Sequence, residues 1–167
     1  YNSSELGRTT KELINRVLGA KIETDAGSLT IGFGFACPFL EKKFTEGKKK
    51  DFLLLMPSEQ GVVSWPEKSK SVSALVDEVS WPVNTSSADL ILISHGLEVS
   101  DNQDLLLQEV RRVLKDSGKL VILVPNRTGF WARSDSTPFG YGKPYSISQL
   151  TSLLRKNQFQ VDSITPN

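Results

Sequence analysis

The stretch 29–40, LTIGFGFACPFL, indicates how the chain folds. The apolar run Leu29 to Ile31 predicts a short buried strand, and the residues GFG at 32–34 predict a tight turn after it. Pro38 is suited to the first turn of a helix, because its missing N–H would have no partner there. A strand that runs through a glycine turn into a helix is the opening unit of many nucleotide-handling α/β proteins.

The same alternation continues along the chain. Further strands are predicted at Phe52–Met56, Val72–Val76, Leu90–Ile93, Leu120–Val124 and Phe159–Ile164. Helices are predicted from the capping box Thr9/Glu12 to Gly19, from Pro38 through Phe44, from an Asp101 cap to Gly118, and from the capping box Ser146/Gln149 through Leu154. Continuously apolar strands separated by helices are typical of a mostly parallel sheet covered on both faces. We therefore predict an α/β, doubly wound, Rossmann-like fold.

The amino-acid composition and net charge of the chain argue against several classes of protein. The chain has 167 residues, a net charge of +1, one cysteine and one histidine. We expect a single domain, no internal disulfide, no structural zinc site, and no electrostatic attraction to nucleic acid. With no apolar run near the length of a membrane span and no recognisable leader, we expect a cytoplasmic protein without membrane contact. The sequence makes no prediction of oligomeric state.

In a doubly wound sheet, ligands bind outside the carboxyl ends of the strands. Gly32 and Gly34 follow the first strand, and glycines there let the backbone approach a ligand, although a tight turn alone would also need them. A dinucleotide fingerprint would place a third glycine at Cys37, and Pro38 removes an amide that a pyrophosphate would use. A nicotinamide-dependent oxidoreductase is therefore disfavoured, and a ligand without phosphates fits better.

The ends of the next three strands carry different side chains. Met56 and Pro57 end the second strand, where they either pack internally or form an apolar wall against a ribose or adenine. Asp77 and Glu78 follow the third strand, either as hydrogen-bond acceptors for an adenine amino group or as solvated loop acids. Ser94 and His95 follow the fourth, and His95 is either a structural residue or part of a site; Glu98 could orient the same loop.

The longest segment without periodicity follows the fifth strand. It is dense in arginine and aromatic side chains, which suit a substrate pocket, although a surface loop could also carry them. The candidates are Arg127, Trp131, Arg133, Tyr141 and Tyr145. By contrast, Arg111 and Arg112 are predicted to form only a charged, solvent-facing helix surface.

Together these segments resemble the class I S-adenosylmethionine-dependent methyltransferases, in the group often called type 11. The resemblance runs through LTIGFG, DEVSWPVNTSSADLILISHGLE and LLLQEVRRVLKDSGKLVILVPNR, and the whole chain looks like a bacterial subgroup of such proteins. Its matching positions are Asp77, Trp81–Pro82, Asp89, His95, Leu97–Glu98, Glu109, Arg112–Leu114, Gly118 and Pro125–Asn126.

The resemblance implies S-adenosylmethionine as cofactor, S-adenosylhomocysteine as product, no metal, and a sheet in the order 3-2-1-4-5-7-6 with the seventh strand antiparallel. Because the sequence predicts six strands at most, we expect the C-terminal edge of this sheet to be incomplete. It implies an N-terminal helical segment 1–27, a cofactor-binding core 28–125, a substrate-side loop 126–145, and a C-terminal helix and strand 146–167. The implied cofactor residues are Ile31, Gly32, Phe33, Gly34, Met56, Pro57, Asp77, Glu78, Ser94 and His95. The candidate catalytic residues are His95, Asn126 and Tyr141, and the substrate-binding residues are those of the loop named above.

Two positions depart from the family pattern. Thr30 and Met56 stand where the family usually has acids, and this should weaken cofactor binding. The expected function is methyl transfer to an unidentified acceptor, most simply a small molecule. The alternative is a methyltransferase-like module that binds or scaffolds without catalysis.

Overall fold

The structure is a computed structural model that describes residues 27–46, 51–58, 61, 64–66, 71–125 and 144–165. The predicted helix between Thr9 and Gly19 lies outside the described residues. So do five of the candidate site residues, namely Asn126, Arg127, Trp131, Arg133 and Tyr141.

The described residues form one five-stranded sheet with three helices. The strands are β1 (Leu29–Gly34), β2 (Asp51–Pro57), β3 (Ser73–Val76), β4 (Ala88–Ser94) and β5 (Leu114–Leu123). The helices are α1 (Cys37–Glu46), α2 (Gln103–Val113) and α3 (Ile147–Lys156). The strand order is β3-β2-β1-β4-β5, and all four neighbouring pairs are parallel. The predicted doubly wound α/β fold is confirmed.

Both faces of the central strands β2, β1 and β4 are buried, as their apolar sequences require. On one face, Ile31 and Ile91 pack in a cluster that contains Leu106 and Val110 of α2 and side chains of α3. On the other face, Leu54 and Leu92 pack in a cluster with Phe39 and Leu40 of α1. Parallel strands covered in this way have no solvated face, and this explains why their sequences do not alternate with polar residues.

Gly32 is explained by the packing of α1 on the sheet. A Cβ atom at this position would lie 2.7 Å from Leu40 Cδ1 and 2.8 Å from Ala36 Cβ. The helix therefore approaches β1 more closely than any side chain at 32 would permit.

The chain reverses its direction of winding between β1 and β4. From β1 it proceeds outward to β2 and β3, and then crosses back to β4 and β5 on the other side. The aligned residues at the carboxyl end are Gly34 of β1, Ser94 of β4 and Leu123 of β5. The crevice at such a reversal is where open α/β sheets bind ligands.

The boundaries of α2 and β5 differ from the prediction. Asn102, and not Asp101, caps α2, because its side chain accepts a hydrogen bond from the Leu105 amide at 3.1 Å. The helix ends at Val113 rather than Gly118, since Leu114 already has extended backbone angles and pairs with Ala88. The next β4 partner, Leu90, pairs with Lys119, so the residues between 114 and 119 form a bulge at the start of β5.

The predicted strand at Phe159–Ile164 is wrong, since these described residues are not part of the sheet. The chain instead uses this segment to close α3. Gln158 has a φ of 65°, and the Phe159 amide donates to the Leu154 carbonyl at 2.9 Å, which satisfies the end of the helix. The capping box at the other end of α3, between Ser146 and Gln149, is confirmed.

Candidate functional site

Gly34 brings the β1–α1 turn against the end of β4. It has a φ of +72°, and a Cβ atom there would lie 2.6 Å from the Ser94 carbonyl oxygen and 3.3 Å from the Gly96 amide nitrogen. The Phe35 amide donates to the same Ser94 carbonyl at 2.7 Å. The glycine is thus required by contact between two loops of the protein itself, whatever ligand lies above them.

His95, directly after β4, is held in an uncommon backbone conformation. Its φ is 51°, in the left-handed region that few residues other than glycine adopt. Its amide donates to the Leu123 carbonyl at 3.1 Å, while the preceding carbonyl, that of Ser94, accepts from Phe35. Hydrogen bonds to β5 on one side and to the β1 turn on the other therefore fix the backbone of His95. Conformations of this kind persist where the surrounding structure over-determines them, which is common at functional sites.

The side chain of His95 contacts Glu98. The His95 Nδ1 and Glu98 Oε1 atoms lie 2.9 Å apart, and the exposed fractions of the two side chains are 15% and 3%. The other carboxylate oxygen, Glu98 Oε2, is buried and has no hydrogen-bond partner in the described part of the chain. The histidine is therefore partly accessible, with a buried acid behind it. The sequence predicts only a loop-orienting role for Glu98, although its i, i+3 spacing from His95 is a signal for contact between the two side chains.

Tyr145 lies close to the same acid. Its amide donates to the Pro125 carbonyl at 3.2 Å, which places it beyond the end of β5. Its hydroxyl is buried without a described partner. Burial, and to a smaller degree the negative charge of Glu98, raises the pKa of Tyr145 to about 12. The hydroxyl therefore stays protonated at neutral pH.

The two acids at the end of β3 have different surroundings. Asp77 is exposed, and its Oδ1 atom accepts a hydrogen bond from the Val79 amide at 2.9 Å. The Glu78 side chain faces the start of α2, where Oε1 accepts from the Asn102 amide at 3.3 Å. Asp77 thus presents a carboxylate at the carboxyl edge, while Glu78 joins two segments of the fold.

The remaining predicted cofactor residues are largely internal. Ile31 and Phe33 are fully buried, and the Phe33 ring stacks on Trp81 with centroids 5.1 Å apart. Met56 is 7% exposed and packs in the α1-side cluster, and Pro57, also buried, pairs with Val76 of β3. Thr30 is buried as well, and its hydroxyl has no partner among the described residues.

Arg112 corrects the prediction of a merely charged helix face. It donates to both carboxylate oxygens of Glu109, at 2.6 and 2.8 Å, and to the carbonyl oxygens of Trp81 and Val83. Glu109 also accepts from the Trp81 amide at 2.7 Å. The Arg112 hydrogen bonds, with a smaller contribution from that amide, lower the pKa of Glu109 although burial acts in the opposite direction. The Glu109–Arg112 pair therefore holds the segment between β3 and β4 against α2, although the two are distant in sequence. Asp77 lies at the start of this segment, so the pair also supports its position.

Two further structural findings concern other classes of function. Within the described ranges, no three His, Cys, Asp or Glu residues are grouped so that they could hold a metal ion. Within the same ranges, no helix has the length and apolar character required to cross a membrane.

Comparison with known proteins assigns the family. Residues 23–164 match the model of a methyltransferase domain, so the chain belongs to this methyltransferase family. Two of the solved structures described below are of proteins named as S-adenosylmethionine-dependent methyltransferases. A comparison with functionally curated proteins found no significant match.

Solved structures share the fold. A methyltransferase from Thermotoga maritima, described as a possible histamine N-methyltransferase, superposes with a TM-score of 0.73 at 19% identity, covering 92% of this chain and 72% of that one. A methyltransferase from Archaeoglobus fulgidus gives 0.69 at 21% identity, with 90% and 69% covered. The [4+2]-cyclase SpnF gives 0.61 at 16% identity, with 87% and 57% covered. The last example shows that this fold also serves a reaction other than methyl transfer.

Proposed function

We propose that the chain is an S-adenosylmethionine-dependent methyltransferase that transfers a methyl group to an acceptor not yet identified, expected to be a small molecule. The observation that carries the proposal is the arrangement of the carboxyl edge in a chain of this family. Gly34 lies against Ser94 and Gly96, on either side of His95, at the reversal between β1 and β4, and Asp77 lies at the end of β3 on the same edge. Three strand spacings, about 14 Å, separate β3 from β4, which suits an elongated ligand laid across the strand ends.

The residues of this edge fit the cofactor in part. Asp77 offers an exposed carboxylate that can accept a hydrogen bond from an adenine amino group. The buried Ser94 hydroxyl, which has no described partner, lies beside the Gly34 turn and can bond a polar group of the methionine moiety. At the end of β2, Met56 and Pro57 offer no carboxylate, so the ribose hydroxyls would bond to backbone or water.

When bound, the cofactor supplies an electrophilic methyl group on a sulfonium, and the protein's task is to position the acceptor in line with it. An acceptor hydroxyl must lose a proton as it attacks, and an amine that is protonated in solution must lose its proton before it can attack. His95 is the residue of the described edge best suited to receive it, because it is partly accessible and fixed at the mouth of β4. The candidates Asn126, Arg127, Trp131, Arg133 and Tyr141 remain proposals for the acceptor side, together with Tyr145.

A second function is favoured by one specific observation. Thr30 and Met56 are both buried, and neither position offers a carboxylate to a ligand. Each missing charged hydrogen bond would weaken binding by about 1.5–3 kcal/mol. The alternative is therefore a methyltransferase-like module that binds or scaffolds without transferring a methyl group.

Isothermal titration calorimetry with S-adenosylmethionine, S-adenosylhomocysteine and NADH separates these functions. The proposal predicts micromolar binding of the first two compounds and none of NADH. The Asp77→Asn variant keeps an oxygen for the Val79 amide and loses the charge, so affinity should fall about tenfold or more.

Asp116→Asn is the matched control for this variant. It removes an exposed carboxylate at the opposite end of the sheet, in the bulge of β5, and should leave affinity unchanged. Absence of heat with both sulfur compounds would favour the scaffold. Equal affinities of the two variants would show that Asp77 is not a cofactor residue.

A further inference from the structure

The buried carboxylate of Glu98 has no structural explanation among the described contacts. Its only described partner is His95, and its Oε2 atom is left without a hydrogen bond in the interior. No described lysine or arginine contacts it. A buried carboxylate without a cation lowers the stability of the folded protein, so an apolar residue at position 98 would give a more stable fold.

The contact with His95 determines which ring nitrogen carries the proton. A carboxylate is only an acceptor, so at a distance of 2.9 Å the Nδ1 atom of His95 must be the donor. In the neutral ring the lone pair then belongs to Nε2. The backbone of His95 is fixed independently, by its φ of 51° and by hydrogen bonds to β1 and β5 on either side. Ring and backbone are thus both pre-organised.

We propose that Glu98 is a positioning residue that holds His95 as the Nδ1–H tautomer, so that Nε2 receives the proton of the methyl acceptor. The methyl group that X gains would come from the sulfonium, whose sulfur would keep the electron pair of the broken S–CH₃ bond as S-adenosylhomocysteine is formed. The proton of the acceptor's broken X–H bond would move to Nε2, and the ring would later return it to water. The Glu98 carboxylate, 2.9 Å from Nδ1, stabilises the charge that the ring gains. The catalytic meaning of this inference rests on the proposed function, whereas the tautomer itself does not.

The other groups around the ring do not compete for this role. Tyr145, from the segment before α3, keeps its proton because its pKa is raised to about 12. The ends of β1 and β5 contribute backbone groups, the Phe35 amide and the Leu123 carbonyl. Asp77 and Glu78 lie at β3, with β2 and β1 between them and β4. The contact between Nδ1 and the Glu98 carboxylate is therefore the one to which we assign the tautomer.

The chain contains a single histidine, which makes the proposal directly measurable. Protein labelled with ¹⁵N-histidine, with any affinity tag removed, gives one imidazole whose two nitrogen shifts report the tautomer at a pH where the ring is neutral. We expect one dominant Nδ1–H form in the wild-type chain without any ligand. A dominant Nε2–H form would overturn the proposal without any variant.

Two variants complete the test. Glu98→Leu fills the same space, removes the unpartnered oxygen, and should convert the ring to a mixture or to the Nε2–H form without lowering the melting temperature. Ser100→Ala is the matched control, since it also removes a buried hydroxyl without a described partner from the same loop, and it should keep the Nδ1–H form. An unchanged tautomer in Glu98→Leu would refute the positioning role.

The result is distinguishable from failure of the proposed function. If the calorimetry shows no cofactor binding while the tautomer is Nδ1–H, the enzyme proposal fails and the Glu98–His95 arrangement stands. If the cofactor binds and the tautomer is Nε2–H, only the present inference fails. Once an acceptor is found, Glu98→Leu should lower kcat with little change in the acceptor's KM.

Discussion

Replacement of Gly34 by alanine tests whether the meeting of the β1 turn and the β4 end is as close as the structure shows. Alanine would carry two separate penalties. A left-handed φ of +72° costs a residue with a Cβ atom about 1–2 kcal/mol. The new Cβ would also lie 2.6 Å from the Ser94 carbonyl oxygen, where ordinary contact begins at 3.4 Å.

The second penalty can be isolated with a matched glycine. Gly61 has a φ of +75°, and no described atom lies within 4 Å of the position its Cβ would occupy. Gly61→Ala therefore carries only the conformational penalty. Relief of the overlap at position 34 requires a backbone shift of the kind that costs about 1–3 kcal/mol.

Urea denaturation of both variants gives the comparison. Gly34→Ala should lose about 1–3 kcal/mol more stability than Gly61→Ala, or about 2–12 °C more in melting temperature for a chain of this size. The urea m-values of the two variants should match that of the wild type. Equal destabilisation would show that the two loops do not approach as described. Because the expected loss is structural, loss of cofactor binding in Gly34→Ala would not by itself locate the ligand.

Three further predictions follow from the contacts of single residues. Arg112→Ala should destabilise the chain by about 2–3 kcal/mol, because it leaves Glu109 buried without its cation. Arg111 is exposed and donates to Gln158, and Arg111→Ala should change stability by at most about 0.5 kcal/mol. Similar losses in the two variants would contradict the structural role of the Glu109–Arg112 pair. Because Asn102 is the N-cap of α2, Asn102→Ala should lower the free energy of unfolding by about 1 kcal/mol, and Asp101→Ala should lower it much less, as measured by chemical denaturation. The reverse order would show that Asp101 is the cap, as the sequence predicts. A tyrosine in the unfolded chain ionises at a pH of about 10, whereas folded Tyr145 keeps its proton up to a pH of about 12, so the wild type should lose stability between these two pH values. Denaturation midpoints measured across this range should show no such loss for Tyr145→Phe. Parallel curves for the two proteins would refute the burial of the hydroxyl.

The sheet was predictable because its central strands are almost entirely apolar. Leu54 and Leu92 pack on one face of the sheet and Leu55 and Ile91 on the other, so burial removes polar residues from both sides of these strands, and a simple apolar run marks each one. Ends of elements were less predictable. The sequence predicts that the helix continues to Gly118, yet pairing of Leu114 with Ala88 places the segment 114–118 in β5.

The misplaced strand at Phe159–Ile164 has a related cause. Its alternating pattern satisfies the rule for a strand, but the first residue, Phe159, packs on the core while its amide closes α3. A period-two pattern therefore arose here from one anchoring aromatic residue and an exposed tail.

The position of the candidate site at the carboxyl edge of the sheet could be predicted from the sequence, but most contacts between its residues could not. That Asp77, Ser94 and His95 follow strands is visible in the sequence, and parallel pairing brings strand ends to one side. Glu109 lies three residues before Arg112, but the other partners of Arg112, namely Trp81, Val83 and Thr85, lie 27 to 31 residues away, and no local pattern reports them. The role of Glu98 likewise depends on burial, which places its carboxylate behind His95 rather than in solvent.

The central claim is that a sulfur-containing cofactor binds at the carboxyl edge of the sheet where β1 and β4 meet. Site-resolved hydrogen exchange of the wild-type chain, with and without S-adenosylhomocysteine, tests this most directly. The account predicts slower exchange in the loops after β1, β3 and β4, at Phe35, Val79 and Gly96, and no change in the β5 bulge at the opposite edge. Unchanged exchange in those three loops, or protection confined to the bulge, would contradict it.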